Sequence, residues 1–473
     1  MSRRILPGNP VRIDLLLTAL LSAGAFLRLL FITAEGLWHD EALAAISTFK
    51  PFLEMISFQL YIGHSPLYLF ILKPLAVLFG SSELVLRMPS VIFGVLSIYA
   101  LHVLARELFD NEWIAYTATA LFSFSAIQVH FSQEARPYAI LVFLSILSFY
   151  CFLRALELNR FRLWLAYSVI TVLMIYLSAT SVFLLAAQFA YSILRKRGSY
   201  EFNVSLVVIA FLYFPMVLYY LIKGGSLMGW MSPLSFSSFT NLLFGFLLLP
   251  IPLPAGWLIS GPYTVIMKGL SLLLLVPLFL GGREAARNKG SKESWSILLL
   301  WLWLVLPFAL EVAYSAALHP LVGLKKYAMA LSPPLYMLLA HAAWSSSPEK
   351  MKKAACVLLA VLFAVPLITF YSIPKRDDWR GAIGYLMEEV EQSEPVFTDY
   401  GGVPMFEYYW RGSPLKLHYY DNLPKIEFES GWLIMQKPYF HRYIGEENAL
   451  GSRFEVESIA RYPDFTILRL KSR

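Results

Sequence analysis

Apolar stretches of membrane-spanning length alternate with short polar loops along most of this chain. A helix needs about 20 apolar residues to cross the hydrocarbon core of a bilayer, and about eleven segments approach that length. We predict spans at 13–32, 88–105, 113–129, 137–154, 163–178, 180–194, 204–222, 263–281, 294–313, 327–344 and 354–372. The sequence therefore predicts a polytopic α-helical membrane protein that resides in the lipid bilayer.

The composition supports this class and argues against others. Hydrophobic residues make up 58% of the chain, charged residues only 15%, and the mean hydropathy is +0.59. The apolar share of a soluble globular protein is nearer to about 45–50%. The net charge of +7 is spread over loop-sized basic clusters, so nucleic-acid binding is not expected. Cys151 and Cys356 lie in apolar runs, which leaves no disulfide framework or metal-thiolate spacing.

The basic loops predict how the chain crosses the membrane. They fall on one side if the apolar segment 66–79 does not cross, as the positive-inside rule requires. We therefore assign 66–79 to an interfacial or re-entrant helix on the outer side, within a long first outer loop at 33–87. We interpret residues 13–32 as an uncleaved first span, so the N-terminus is then cytoplasmic. The basic loops include Arg3, Arg4, Arg12, Arg106, Arg154, Arg160, Arg162, Arg195, Lys196, Arg197, Arg283, Arg287, Lys289, Lys292, Lys350, Lys352 and Lys353.

The composition changes sharply after residue 372. A helical pattern at 379–391 is followed by strand-like runs. These runs lie at 395–399, 415–420, 431–436, 454–460 and 464–470. We predict a transmembrane module at 1–372 and a small soluble α/β domain at 373–473, on the extracytoplasmic side.

Acidic residues stand just beyond the first span, where a membrane protein has little reason to place them. Asp40 and Glu41 follow Gly36-Leu37-Trp38-His39. The simplest interpretation is a helix N-cap, because a helix-compatible run begins at Ala42. The alternative is a catalytic or substrate-binding pair. The second outer loop strengthens that alternative.

The second outer loop concentrates ionisable groups at one membrane depth. Gln128 to Tyr138 includes His130, Glu134 and Arg136, and such groups are costly there unless they pair or line a wet cavity. His64 and Tyr68, in Gly63-His64-Ser65-Pro66-Leu67-Tyr68, lie on the same outer side. A lone histidine is commonly a structural hydrogen-bonding group; near two acidic loops it is also a candidate for substrate contact, metal ligation or proton transfer.

Cations on the base-poor outer side have two interpretations. Lys325 and Lys326, followed by Tyr327, either extend to lipid headgroups or hold a phosphate group. Arg28, in the outer third of the first span, has the same two interpretations, with the headgroup contact ahead. Trp230, Pro233, Pro250, Pro252, Pro254 and Trp257 in the 223–262 region are candidates for a lipid-tail groove or, more simply, interfacial anchors.

Taken together, these motifs resemble the GT-C glycosyltransferases. The matching pieces are the Asp-Glu pair, His-x-Pro-Leu-Tyr, Phe-Gly-x-Ser-Glu-x-x-x-Arg-x-Pro-Ser at 79–90 and Ser-Gln-Glu-x-Arg-x-Tyr at 132–138. The chain is similar to the bacterial and archaeal group that contains protein O-mannosyltransferases and aminoarabinose transferases. The resemblance implies transfer of a sugar from a polyprenyl-phosphate carrier to an acceptor on the outer face.

The resemblance also implies roles for individual residues. Asp40 matches the family's first-loop catalytic aspartate, and Glu134 lies where relatives place a second acid, although several have Asp there. His64 takes a position that is acidic in aminoarabinose transferases, so its role stays open. The substrate-binding candidates are Glu41, His64, Tyr68, Arg136, Tyr138, Lys325, Lys326 and Tyr327. A divalent metal is a possible cofactor, with Asp40, Glu134 and His64 as candidate ligands.

Two other functional classes remain open from the sequence. A secondary transporter would place paired half-repeats with broken helices at matching positions, and no such repeat is visible. A lipid-linked sugar flippase or a non-catalytic membrane scaffold would tolerate the loss of Asp40. The sugar, the acceptor (protein, lipid or glycan) and the isoprenoid length are not encoded in these motifs.

Overall fold

The fold comes from a computed structural model of the 473-residue chain. The structure describes residues 14–196, 200–223, 290–317, 329–345, 349–374, 376–391, 394–412, 414–436, 454–461 and 465–472. The chain divides into two compact units, which we call the helical unit and the mixed unit. The helical unit contains Met1–Leu30, Gln59–Phe70 and Arg87–Ile373; the mixed unit contains Phe31–Phe58, Ile71–Leu86 and Pro374–Arg473.

The long apolar segments of the sequence are helical wherever the structure describes them. Their helices are α1 (Leu15–Leu29), α5 (Glu83–Leu108), α6 (Glu112–Ser123), α7 (Ala126–Ser132), α8 (Tyr138–Leu158), α9 (Phe161–Leu177), α10 (Phe183–Leu194), α11 (Tyr200–Lys223), α12 (Lys292–Ala317), α13 (Ser332–Ser345) and α14 (Glu349–Ser372). Short 3₁₀ turns occupy Pro66–Tyr68 and Ala179–Val182. The predicted span at 263–281 lies outside the described residues.

Fewer of these helices are long enough to span a bilayer than the sequence predicts. Among the described helices, α5, α8, α11, α12 and α14 meet the length and hydropathy needed to cross. The pair α6 and α7, bent by 56°, would be a sixth if it forms one broken span. Helices α1, α9 and α10 are apolar but shorter. The predicted number of about eleven crossings is therefore not confirmed, because several apolar helices fall short of about 20 residues.

The helical unit is held together by side-by-side packing of α8 with α9, α9 with α11, α10 with α12, and α6 with α13. A further contact joins α8 to α12, where the rings of Phe149 and Trp303 stack with centroids 3.7 Å apart. Buried hydroxyls join neighbouring helices where no water reaches, as in the hydrogen bond between Ser148 and Thr171 at 2.9 Å. Polar pairs inside a membrane protein are satisfied in this way because lipid offers no partner.

The mixed unit combines helices of the first loop with the C-terminal region. Its first-loop helices are α2 (His39–Phe49), α3 (Phe52–Tyr61, which ends in the helical unit) and α4 (Leu69–Phe79, which begins there). Its C-terminal elements are α15 (Trp379–Glu389), β1 (Pro395–Thr398), α16 (Val403–Tyr409), β2 (Lys416–Tyr419), a 3₁₀ turn (Tyr420–Lys425), β3 (Ser430–Gln436), β4 (Phe454–Arg461) and β5 (Phe465–Ser472). The predicted helix and all the predicted strands of this region are confirmed.

The strands form one sheet in the order β2-β1-β3-β5-β4. Strand β1 is parallel to both β2 and β3, whereas β5 is antiparallel to β3 and β4. Side chains alternate between the two faces, as strand geometry requires. Val396 faces a core formed with α15 and α16, while Phe397 faces a second core around Leu423 and Phe454. Ala42 of α2 belongs to the first of these cores.

Candidate functional site

Asp40 lies in the first turn of α2, one residue after the helix begins at His39. Trp38 occupies the N-cap position in an extended conformation, and its backbone N–H donates to Glu41 Oε2 at 3.4 Å. Asp40 is therefore not the N-cap itself. Its side chain is partly exposed, and the helix N-terminus stabilises the negative charge of a carboxylate there. An ionised acid in this position can accept a proton.

Glu41 is fully buried and ion-paired. Its carboxylate lies 2.9 Å from the guanidinium of Arg376, and the Arg376 side chain is only 9% exposed. Arg376 also donates to the carbonyl oxygen of Gly36 at 3.3 Å. Glu41, a predicted substrate-binding residue, thus has contacts that fix the start of α2. The assignment of Glu41 to substrate stays a prediction.

Two more hydrogen bonds tie the residues before Asp40 to the C-terminal region. His39 Nδ1 donates to the carbonyl oxygen of Gly401 at 3.0 Å. The backbone N–H of Leu37 donates to the Tyr409 hydroxyl at 2.7 Å, and that hydroxyl donates to Glu83 Oε1 at 2.6 Å. Burial and the neighbouring Glu83 both raise the pKa of Tyr409, so its hydroxyl stays protonated. The chain around Asp40 is held by hydrogen bonds on both sides.

Gly36 allows this close packing. A Cβ at Gly36 would lie 2.9 Å from the Tyr409 hydroxyl oxygen and 3.2 Å from Arg380 Cβ. Arg380 itself donates to the carbonyl oxygens of Thr33 and Ala34 and pairs with Glu83 at 3.0 Å. A larger residue at position 36 would separate these groups.

The predicted residues of the second outer loop lie in the helical unit, between α7 and α8, and are buried. Glu134 Oε1 lies 3.3 Å from His130 Nε2. The Arg136 guanidinium is 5.8 Å from the ring centroid of Tyr138, a cation–π distance. The side chains thus form two neighbouring pairs, which the backbone hydrogen bond from Arg136 N–H to the Glu134 carbonyl oxygen at 2.7 Å connects. Convergence of Glu134 with Asp40 stays a prediction, because the two residues belong to different units.

Gln133 anchors this loop to the end of α1. Its side-chain amide donates to the carbonyl oxygens of Leu27, Arg28 and Leu30 at 3.2, 3.2 and 2.8 Å. The last carbonyls of a helix have no partner within that helix. Gln133 supplies one, so the position of the loop follows that of α1.

Arg28 corrects one expectation from the sequence. Its side chain is 0% exposed, so the predicted contact with lipid headgroups is wrong. The guanidinium donates to Ser132 Oγ at 3.1 Å and to the carbonyl oxygens of Gly24 and Ser123 at 2.9 and 3.3 Å. Arg28 thus joins α1 to α6 and α7, because a buried cation needs several acceptors.

His64 and Tyr68 lie at the turn that follows α3. Gly63 adopts a positive φ of 79°, and the 3₁₀ turn Pro66–Tyr68 begins where Ser65 Oγ accepts from the Leu67 N–H at 3.3 Å. His64 is partly exposed and Tyr68 is 3% exposed. Their assignment to substrate stays a prediction.

Three predicted residues, Lys325, Lys326 and Tyr327, lie outside the described residues. The aromatic and proline-rich region at 223–262 also lies outside them, except for Lys223, the last residue of α11. Within the described ranges, no three His, Cys, Asp or Glu side chains form a cluster that fits a metal ion. The candidate metal ligands Asp40, Glu134 and His64 stay a prediction.

Sequence reasoning missed the partners that hold α2. Arg376, Tyr409 and Gly401 lie more than 300 positions from Asp40. A weak signal existed in the charged run at 375–378, where a basic pair opens the C-terminal domain. The pairing itself depends on tertiary structure.

Comparison with known proteins identifies the fold. The family model of dolichyl-phosphate-mannose-protein mannosyltransferases matches residues 63–222. Crystal structures of ArnT from Cupriavidus metallidurans are similar over 96% of this chain and 97% of theirs. The TM-score is 0.57 with 13% identity for the form bound to undecaprenyl phosphate and 0.59 with 12% identity for the apo state.

A second similar structure is archaeal. The oligosaccharyltransferase AglB from Archaeoglobus fulgidus, in complex with an inhibitory peptide and a dolichol-phosphate, has a TM-score of 0.55 and 12% identity, over 92% of this chain and 71% of that one. No curated protein matches the chain significantly in sequence. The predicted resemblance to GT-C glycosyltransferases is confirmed by the family model and the fold. The chain is an integral membrane protein of that fold.

Proposed function

We propose that this protein is a membrane glycosyltransferase that moves a sugar from a polyprenyl-phosphate carrier to an acceptor on the extracytoplasmic face, with inversion at the anomeric carbon. The observation that carries the proposal is Asp40, a partly exposed acid in the first turn of α2 whose flanking residues are held rigidly. The similar structures contain undecaprenyl phosphate and a dolichol-phosphate, which supports a lipid phosphate as the leaving group.

Asp40 is the general base in this proposal. The acceptor hydroxyl or amine loses its proton to the Asp40 carboxylate as its oxygen or nitrogen attacks the anomeric carbon. The bond from that carbon to the phosphate oxygen breaks, and the carrier leaves as a polyprenyl phosphate anion. Direct displacement from the opposite side inverts the configuration. Fixed flanking residues favour such a base, because a productive geometry must exist before the reaction.

The leaving phosphate needs positive charge nearby more than it needs a proton. Arg136 is the described candidate, since its side chain is anchored beside Tyr138 in the second outer loop. Lys325 and Lys326 complete the proposed set, whereas Arg28 is committed to holding α1, α6 and α7. Glu134 is the proposed second acid, acting with His130. The basic loops support a cytoplasmic N-terminus and an outer C-terminal domain.

The test is transfer from radiolabelled polyprenyl-phosphate sugars in proteoliposomes that contain the full chain. Asp40→Asn keeps the size of the side chain and removes the base, so the rate should fall by about 10²–10⁴-fold. Glu54→Gln is the matched control, because Glu54 is an exposed acid in the first turn of α3 that pairs only with Lys50 among the described cations. Its rate should not change.

Full transfer by a correctly folded Asp40→Asn protein would exclude Asp40 as the base. Retention of anomeric configuration in the product, read by NMR, would exclude direct displacement. A flippase or scaffold predicts no transfer by the wild type and no effect of Asp40→Asn on lipid movement. Mass spectrometry of co-purified lipid would identify the carrier.

A further inference from the structure

Two exposed tyrosines stack on each other at one end of the sheet in the mixed unit. The rings of Tyr400 and Tyr419 have centroids 4.4 Å apart and planes inclined by 29°. Tyr400 is 67% exposed and Tyr419 is 38% exposed. Aromatic rings of this size usually contribute to a core or to an interface. Neither ring belongs to the two cores of the mixed unit as the structure describes them, and each presents surface to solvent.

The position of the pair is one where ligands bind in α/β proteins. Tyr419 ends β2, and Tyr400 follows β1, so both lie at the carboxyl ends of parallel strands. The connection from β1 to β2 contains α16 on one face of the sheet, and the 3₁₀ turn that follows β2 packs on the other face. Ligands of open α/β sheets bind outside the carboxyl ends of the strands, and in the strand order β2-β1-β3 the switch point lies between β1 and β3, beside the strand that Tyr400 follows.

The loop that carries Tyr400 is fixed in place. Asp399 Oδ1 accepts from the backbone N–H of Gly402 at 2.9 Å. A Cβ at Gly402 would collide with Thr398 Oγ1 and lie 2.8 Å from the Trp379 ring. The loop is therefore compact and cannot take a larger residue there without rearrangement. A rigid loop presents the Tyr400 ring in a defined direction.

The same loop contacts the residue before Asp40. The carbonyl oxygen of Gly401, next to Tyr400, accepts the hydrogen bond from His39 Nδ1 at 3.0 Å. His39 directly precedes Asp40 in the first turn of α2. The tyrosine pair and the proposed base thus belong to one hydrogen-bonded part of the mixed unit. A molecule held on the tyrosines lies on the same unit as the base.

We propose that Tyr400 and Tyr419 form an acceptor subsite that binds a saccharide by stacking a pyranose ring on their exposed faces. This inference rests on the proposed function and names its acceptor class as a carbohydrate. The C–H groups on one face of a pyranose carry partial positive charge, and the face of an aromatic ring is negative, so the two attract.

The surroundings favour a neutral sugar over an anionic group. Asp421 follows Tyr419 by two residues and is exposed, whereas Asp399 uses Oδ1 to hold the loop. Carboxylates accept hydrogen bonds from sugar hydroxyls, whereas they repel a phosphate or a second carboxylate. An exposed aromatic face with an exposed carboxylate two residues away in sequence suits a polyol ring that has one apolar face and several hydroxyls.

Saturation-transfer NMR on the full chain in micelles tests the proposal without any donor lipid. The probes are mannotriose, N-acetylchitotriose and maltotriose, each titrated separately, with a neutral hexapeptide of Gly, Ser and Ala for comparison. Tyr400→Ala and Tyr419→Ala should each weaken binding of the trisaccharide that the wild type prefers by on the order of tenfold, the usual effect of losing one stacking ring. Tyr400→Phe keeps the ring and should bind within about twofold of the wild type.

Tyr200→Ala is the matched control, because Tyr200 is 79% exposed at the start of α11, and it should leave binding unchanged. The inference is overturned if the wild type binds none of the trisaccharides, if both alanine variants bind as the wild type does, or if only the peptide binds. If saccharide binding needs both rings but the protein transfers no sugar, only the proposed function is refuted. If sugar transfer needs Asp40 but saccharide binding does not change when either ring is removed, only this inference is refuted.

Discussion

Removing the charge of Glu41 should destabilise the mixed unit strongly. Glu41 is fully buried, Arg376 is 9% exposed, and their charged atoms lie 2.9 Å apart. Loss of one partner from such a pair leaves an uncompensated buried charge, which costs about 3–5 kcal/mol. Glu41→Gln and Arg376→Met should each lose about that much. The double variant leaves no charge behind, so it should lose about as much as one single variant, with a coupling energy of about 3 kcal/mol.

Hydrogen exchange of the full chain in micelles, followed by mass spectrometry of peptides from α2 and α15, measures these losses. Exchange reports the free energy of local opening, which is the quantity that the ion pair changes. The control cycle uses Lys50 and Glu54, an exposed pair in the same unit with the same 2.9 Å separation. Because water screens that pair, its coupling energy should be about 0.5 kcal/mol or less.

The two cycles together decide the argument. If the Glu41 and Arg376 losses add without coupling, the pair does not stabilise the unit and the α2 start is held by other contacts. If the two cycles give equal coupling energies, burial does not matter at this position. The rate of sugar transfer is a second measurement. Loss of the pair should lower this rate, because the pair holds the start of α2, where Asp40 lies. The double variant should recover part of the rate.

Two further predictions concern stability. Burial alone raises the pKa of Glu394, but hydrogen bonds from Ser430, Arg469 and Trp432 outweigh it and hold that pKa below its ordinary 4.5. The contribution of the Glu394 carboxylate to stability is therefore complete above about pH 4.5 and is lost as the pH falls through the folded pKa. Between about pH 6 and about pH 3, the thermal midpoint should fall less steeply in Glu394→Gln than in the wild type. Equal slopes in the two proteins would contradict this. Gly94→Ala should destabilise the helical unit by about 1–3 kcal/mol, because the new Cβ would collide with Ser132 and lie 2.9 Å from Arg28 Nε. In the control variant Gly384→Ala the new Cβ meets nothing within 4 Å, so the thermal midpoint should not fall. A loss in the control as large as that of Gly94→Ala would refute the steric argument.

Much of the fold follows from hydrophobic pattern. The apolar runs predict α5, α8 and α12 closely, since a span must satisfy its own backbone hydrogen bonds and so must be helical. The charge bias predicts that 66–79 is not an ordinary span, and the structure gives it a 3₁₀ turn and the short helix α4. Short strand-like runs after residue 394 predict each strand of the C-terminal sheet. Strand order and the parallel pairing of β1 depend on long-range contacts that periodicity does not encode.

The candidate site follows from sequence only in part. Charged residues in outer loops attract attention because they are costly near a membrane, and that argument leads to Asp40, Glu134 and Arg136. It does not separate Asp40 from Glu41, although one is partly exposed and the other fully buried. The same argument places Arg28 at lipid headgroups, whereas its side chain is fully buried. In each case the outcome depends on which distant polar group reaches the residue.

The supports of α2 explain why the C-terminal residues belong to the proposed catalytic site. Leu37, His39 and Glu41 each bond to a different C-terminal residue, and Ala42 packs in the core formed by α15 and α16. A first turn with a free N-terminus frays, because its backbone N–H groups lack partners within the helix. Anchors before and after Asp40 suppress that fraying. The C-terminal region thus sets the direction of the Asp40 carboxylate as well as the proposed acceptor subsite, so its loss should remove base and acceptor binding together.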